Sequence, residues 1–152
     1  MNLLRRWETR PKEVWPVDLP RDEMAFRKRY QSLVEGEQLT TVFRPGNRVF
    51  PNFRGYKPRE LITARIIETP GSDEEKIPPL FNDIKVPIQI VQIETFNVYS
   101  LTNAHFQGSS PDVQNIEELL EHLEAIYSQP ISKFNDEITR IVFNYLKVAK
   151  TA

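Results

Sequence analysis

Apolar residues recur along this chain at two spacings, and each spacing predicts a different element. The clearest helical pattern runs from Ile116 to Tyr127, where Ile116, Leu119, Leu120, Leu123, Ile126 and Tyr127 fall on one face of a 3.6-residue period. Asn115 precedes it and Glu118 follows three residues later, the arrangement of a capping box. Glu117, Glu118 and Glu121 crowd its N-terminal half, where the helix dipole favours acids, so this run reads as a solvated face. A second helix is predicted from Asp22 to Glu35, because Phe26, Tyr30, Leu33 and Val34 keep helical spacing and Gly36 supplies a stop.

Other segments alternate or are rich in β-branched residues. Thr40–Arg44 predicts a short strand closed by the Pro45-Gly46 turn, and Val49-Phe50 a second one. Pro51 to Pro58 reads as a loop, Leu61–Glu68 as a strand, and Pro70 to Pro79 as a polar loop. Val86–Ile93 predicts a strand that runs on toward Tyr99 with a bulge, and Pro87 places it at a strand start or on an edge. Thr102–Phe106 has the length of one helical turn, and Ile138–Leu146 predicts a final strand. Strands and helices do not alternate regularly, so the expected class is α+β with a small curved sheet or barrel, not a doubly wound parallel sheet.

The chain of 152 residues fits one domain. Residues 1–21 read as an N-terminal extension, with Trp7, Trp15 and three prolines and no period; residues 22–148 read as the domain. There is no cysteine, so a disulfide framework and Cys-based metal sites are excluded. No apolar stretch has the length of a membrane span and the first residues lack a secretory h-region, which predicts a soluble, cytoplasmic protein without a membrane partner.

Charge is balanced overall, with 20 basic against 21 acidic residues, but not along the chain. Residues 1–65 hold 14 lysines and arginines against 8 acids, a net +6; the remainder holds 6 against 13, a net −7. That asymmetry predicts a basic face able to meet an anion, of which nucleic acid is the commonest large example. Arg44, Arg48, Arg54, Lys57, Arg59 and Arg65 are interleaved with Phe43, Phe50, Phe53 and Tyr56. Guanidinium groups fork onto phosphates and exposed rings stack bases, which suits a single-stranded RNA segment or a nucleotide. The competing reading makes Phe43 and Phe50 core residues and the arginines solubility charges.

Catalytic motifs are sparse. The two histidines are His105, in a segment that could line a cleft, and His122, which reads as a surface residue on the polar side of the long helix. No zinc-ligand spacing, phosphate-cradling glycine loop or Gly-x-Ser-x-Gly elbow occurs, so no catalytic residue, metal or cofactor is assigned.

Two separated stretches resemble one family. Leu33–Gly46 (Leu-Val-Glu-Gly-Glu-Gln-Leu-Thr-Thr-Val-Phe-Arg-Pro-Gly) is similar to the ASCH-domain signature "I-x-x-G-x-K-x-x-T-x-R" with its following turn. Leu101–Gly108, Ile116–Leu120 and Thr139–Phe143 resemble the family's later "L-T-x-E-x-A-x-x-G", its "E-E-L" helix and its last strand. The resemblance spans Phe26 to Tyr145 and implies a PUA-like β-barrel with flanking helices, a cleft near Gly36–Arg44 and an RNA-associated role. Some members look like small amidohydrolases acting on modified cytidine, using the motif's Lys, Thr and Glu. Here those positions carry Gln38, Thr41 and Asn103. An amide serves neither as nucleophile nor as general acid or base, so the resemblance implies the cleft without that chemistry.

The expected function is therefore RNA or nucleotide binding. Gln38, Thr41 and Asn103 would line the pocket, with Arg44, Arg54, Arg59 and Arg65 on phosphates, Tyr56 stacking a base, and His105 at the cleft. One alternative is a hydrolase on a modified nucleoside or RNA with His105 as acid or base. Another is a protein-interaction module docking a partner through the N-terminal arm.

Overall fold

The computed structural model describes residues 19–72 and 75–146. The expected arm with Trp7 and Trp15 lies outside the described residues, as do Asp73 and Glu74. Among the described residues five strands form one sheet: β1 (Glu23–Arg27), β2 (Thr41–Pro45), β3 (Leu61–Thr69), β4 (Leu80–Asn97) and β5 (Glu137–Tyr145). Their order is β1-β3-β4-β5-β2, with β1 parallel to β3 and the other pairs antiparallel. The sheet curls into a half-barrel, flanked by α1 (Gln31–Glu35) and α2 (Ile116–Tyr127). The class is α+β, as the pattern predicts.

Two apolar clusters occupy the two faces. Met24, Phe26, Val34, Leu39, Val42, Ile62, Ile66, Ile88, Ile90, Ile141 and Phe143 fill the inside of the curl. Phe43, Val98, Leu101, Phe106, Leu119, Leu123, Ile131 and Ile138 join α2 to the outer face. The period of two explains the division: neighbours Val42 and Phe43 enter opposite clusters, as do Ile138 and Ile141 on β5. α2 begins and ends where the sequence places it, and the Asn115 side chain accepts the Glu118 amide at 2.8 Å. The Glu118 carboxylate reaches back to the Gln114 amide rather than to that of Asn115.

Three expectations are corrected. The helix predicted from Asp22 is a strand for its first half: Met24 and Phe26 alternate inward, and β1 pairs with β3 from Glu23↔Thr63 to Arg27↔Ile67. A 3-10 turn at Lys28–Tyr30 leads into α1, which stops before Gly36 as expected. Val49 makes only an isolated bridge to Tyr56. Pro87 lies inside the central strand β4, opposite Thr63. It is tolerated because the Thr63 amide turns the other way, to Asp22, and because β5 ends at Tyr145 beside it, with Leu146 donating to the Pro87 carbonyl. Pro87 thus has local edge character within an interior strand. The expected bulge falls between Ile90 and Gln92.

Candidate functional site

Among the described residues β1 and β2 are the two edge strands of the curled sheet, and between them and α2 lies a cavity of about 880 Å³. The gap is bridged by side chains rather than by a strand ladder. Arg44 of β2 donates from Nη2 to the Ala25 carbonyl of β1 at 3.0 Å, and from Nη1 to the Phe43 carbonyl at 3.2 Å. The Tyr56 hydroxyl donates to the Glu23 carbonyl at 2.7 Å.

Arg27, Arg44, Arg48, Arg54 and Lys76 line the cavity, and no carboxylate does among the described residues. Local turns place these cations. Pro45-Gly46 reverses the chain, with Gly46 at φ 78°, and Thr139 fixes the next step. Its buried hydroxyl accepts the Arg48 amide at 2.8 Å and donates to the Gly46 carbonyl at 2.7 Å. The loop then closes on itself, with the Tyr56 amide on the Arg48 carbonyl and the Phe50 amide on the Tyr56 carbonyl. Gly55 is required there: a Cβ would come within 2.7 Å of the Phe50 amide nitrogen and 2.8 Å of the Asn52 carbonyl oxygen.

At one part of the cavity Arg48 is 6 % exposed and shares a hydrogen bond with the Tyr127 hydroxyl, at the end of α2. Burial opposes ionisation of Tyr127, yet the Arg48, Arg44 and Arg54 cations and that hydrogen bond outweigh it and hold the phenol below its ordinary value. Burial likewise draws Arg48 below the usual guanidinium value.

Another part of the wall is a relay of polar groups. Tyr30 donates from its hydroxyl to Asp112 Oδ2 at 2.7 Å, and Ser110 donates to Asp112 Oδ1 at 2.5 Å. His122 Nδ1 lies 3.1 Å from the Tyr30 hydroxyl and 3.2 Å from Arg29 Nη2. Burial, with Arg44, Arg29 and Arg27 nearby, lowers His122 to about 4, against an opposing pull from Asp112. It is neutral at neutral pH. Burial and the Asp112 hydrogen bond push Tyr30 up to about 12.

Of the nine residues singled out in the sequence, four meet at this cavity: Thr41, Arg44, Arg54 and Tyr56. Thr41 is buried, with its hydroxyl donating to the Gln107 carbonyl at 2.7 Å. Tyr56 is not the exposed stacking ring expected, being 6 % exposed and anchored on β1. The other five are elsewhere. Gln38 is exposed in the turn after α1. Asn103 is exposed beside a separate depression of about 390 Å³ with Thr102 and Glu117, so the expected Gln38–Thr41–Asn103 pocket is not assembled. Arg59 is exposed in the turn before β3. Arg65 is paired with Glu23 at 3.0 Å and lies over the Phe81 ring. His105 is a cap: its Nδ1 accepts the Thr102 amide at 2.8 Å, and its ring packs on Phe96. The aromatic residues also divide, Phe43 being core and Phe50 41 % exposed beneath Arg21 and Lys57.

Sequence reasoning missed Tyr30, Tyr127 and His122. Tyr127 reads as part of an apolar helix face. His122 reads as solvated, but Arg29 and Tyr30, arriving from the turn after β1, cover it. The one available signal was Arg48, four residues after Arg44 across a Pro-Gly turn.

Among the described residues no helix is long and apolar enough to cross a membrane. Among the described residues no cluster of three or more His, Cys, Asp or Glu has metal-site geometry. No protein-family model matches the chain, and no curated protein matches it. Among solved structures it is similar to the crystal structure of protein EF3133 from Enterococcus faecalis V583, of family DUF984, at 10% identity and a TM-score of 0.47, covering 82% of this chain and 74% of that one.

Proposed function

We propose that this protein binds RNA or a nucleotide in the cavity between β1 and β2, as an ASCH-type module of residues 22–148 preceded by the extension 1–21. One observation carries the reading: five basic side chains and, among the described residues, no acidic one line a cavity of about 880 Å³. A cavity of that size holds a drug-sized ligand, which a nucleotide resembles in bulk. Arginine supplies forked donors for phosphate oxygens, while Tyr30, Ser109 and Ser110 on the same wall supply neutral polar contacts for a sugar or base. The Gln38 and Asn103 departures leave no amidohydrolase set, so binding, not turnover, is the activity assigned.

The test is titration of fluorescent single-stranded RNA and of mononucleotides at two salt concentrations, with Arg44→Ala and Arg59→Ala. Binding should weaken as salt rises, weaken further in Arg44→Ala, and stay near wild type in Arg59→Ala. Absence of salt-sensitive binding to either probe at low ionic strength would refute the proposal.

A further inference from the structure

We infer that the ligand presents a terminal phosphate, a phosphomonoester at the end of a nucleotide or RNA strand, to Arg48 and Tyr127, instead of an internal phosphodiester. This rests on the proposed nucleotide site and narrows it.

The first argument is depth. Arg48 is 6 % exposed, so its guanidinium belongs to the floor of the cavity and not to its rim. An internal phosphodiester must carry chain in and out past any group that binds it. A terminal phosphate arrives end-on and needs one opening. Arg44 of β2 and Tyr56 of the loop that follows each hydrogen-bond to the β1 backbone across the gap, and these ties stand in the path of a strand threading between the two edges.

The second argument is charge and donor count. Arg44, Arg48 and Arg54 lie close enough together to act jointly on the ionisation of both Tyr56 and Tyr127. A phosphomonoester carries about −1.5 to −2 charges at neutral pH and three free oxygens, against one charge and two free oxygens for a diester. Three guanidinium groups in one neighbourhood match the monoester better, because each oxygen can take a charge-assisted donor. Tyr127, held by Arg48, adds a hydroxyl oriented by that bond.

The third argument is the part of the wall formed by Tyr30 and His122. Tyr30 and His122 present a phenol and a neutral imidazole edge-on to each other, with ring centroids 5.9 Å apart, in the same cavity. The phenol and the imidazole are themselves neutral at neutral pH, so they offer a base or ribose uncharged polar contacts beside the guanidinium groups that take the phosphate.

The experiment compares three forms of one short oligoribonucleotide, carrying a 5′-phosphate, a 3′-phosphate or hydroxyls at both ends, by fluorescence anisotropy, with competition by adenosine 5′-monophosphate and by inorganic phosphate. One phosphorylated form should bind about tenfold or more tighter than the hydroxyl form, and the monophosphate should compete. Arg48→Lys and Tyr127→Phe should each shrink that preference to about threefold or less, while Arg59→Ala leaves it intact. Circular dichroism confirms that each variant is folded, and Tyr127→Phe keeps the test open should the buried Arg48 variant not fold. Equal binding of all three forms would overturn the terminal-phosphate inference and leave nucleotide binding standing. No binding of any probe would overturn both. A preference unchanged in Arg48→Lys and Tyr127→Phe would overturn the placement of the phosphate.

Discussion

Arg44 donates a hydrogen bond to the Ala25 carbonyl at 3.0 Å, and through it a side chain of one edge strand closes on the backbone of the other. The curled sheet is completed at that point without a ladder between β1 and β2. The same guanidinium lies 5.8 Å from the Phe26 ring centroid and lines the cavity, so it couples stability to the site. Arg44→Ala should destabilise the fold by about 1–2 kcal/mol. It should also speed amide exchange in β1 more than in β4. Denaturant melts with hydrogen exchange read both. An unchanged β1 would mean that the bridge does not hold the seam.

Thr139 is 0 % exposed and uses its hydroxyl twice, as acceptor for Arg48 and donor to Gly46. Thr139→Val keeps the shape and removes both bonds, leaving a buried amide and a part-buried carbonyl unmatched. The expected loss is about 2–4 kcal/mol. Thr139→Ser should recover most of it. Since Arg48 is positioned by this hydroxyl, ligand binding should fall in Thr139→Val even under conditions where the protein is fully folded.

Folding should weaken in mild acid because of His122. Its folded value is about 4 against an ordinary 6.5, with burial as the leading cause, so the unfolded chain binds the proton first. Stability is then full above about pH 6.5 and falls as pH drops toward 4. The loss is on the order of 2 kcal/mol once solvent screening at this half-buried ring is allowed for. Asp112, drawn below its ordinary value by Ser110, Tyr30 and Arg29 against the opposing effect of burial, adds a second loss only at lower pH. Denaturant melts of wild type and His122→Gln across this range should converge as pH falls. Parallel curves would show that His122 is not the group responsible.

Gly108 adopts φ 83°, and its carbonyl accepts the amides of both Thr40 and Thr41 at the start of β2. A Cβ there would press on the Thr40 hydroxyl and lie 3.0 Å from that of Thr41. Gly108→Ala should cost roughly 1–3 kcal/mol from the left-handed conformation and this crowding. Thr40→Ala in the same background should relieve part of the loss, as thermal unfolding of the double variant would reveal.

Local patterning determined much of this molecule. The face of Ile116–Tyr127, its Asn115 cap, the β-branched runs of β3 and β5, and the turn at Pro45-Gly46 are set by residues within a few positions of one another, so the chain alone discloses them. The α+β class follows from their irregular order. Tertiary structure decided the rest. Met24 and Phe26 fit a helix that continues to Val34 as well as a strand; pairing with β3, 40 residues away, selects the strand. Pro87 sits in an interior strand because β5 happens to end beside it. The site divides in the same way. Arg44, Arg54 and the buried Thr41 were legible as basic or motif positions. Tyr127 and His122 enter only because α2 lies along the open seam, which brings residues some 80 positions apart into one cavity. Gln38, Asn103 and His105 were plausible by motif, but backbone turns direct them elsewhere. Spacing along a chain fixes which face of an element a side chain occupies; what that face meets is fixed only when the sheet curls.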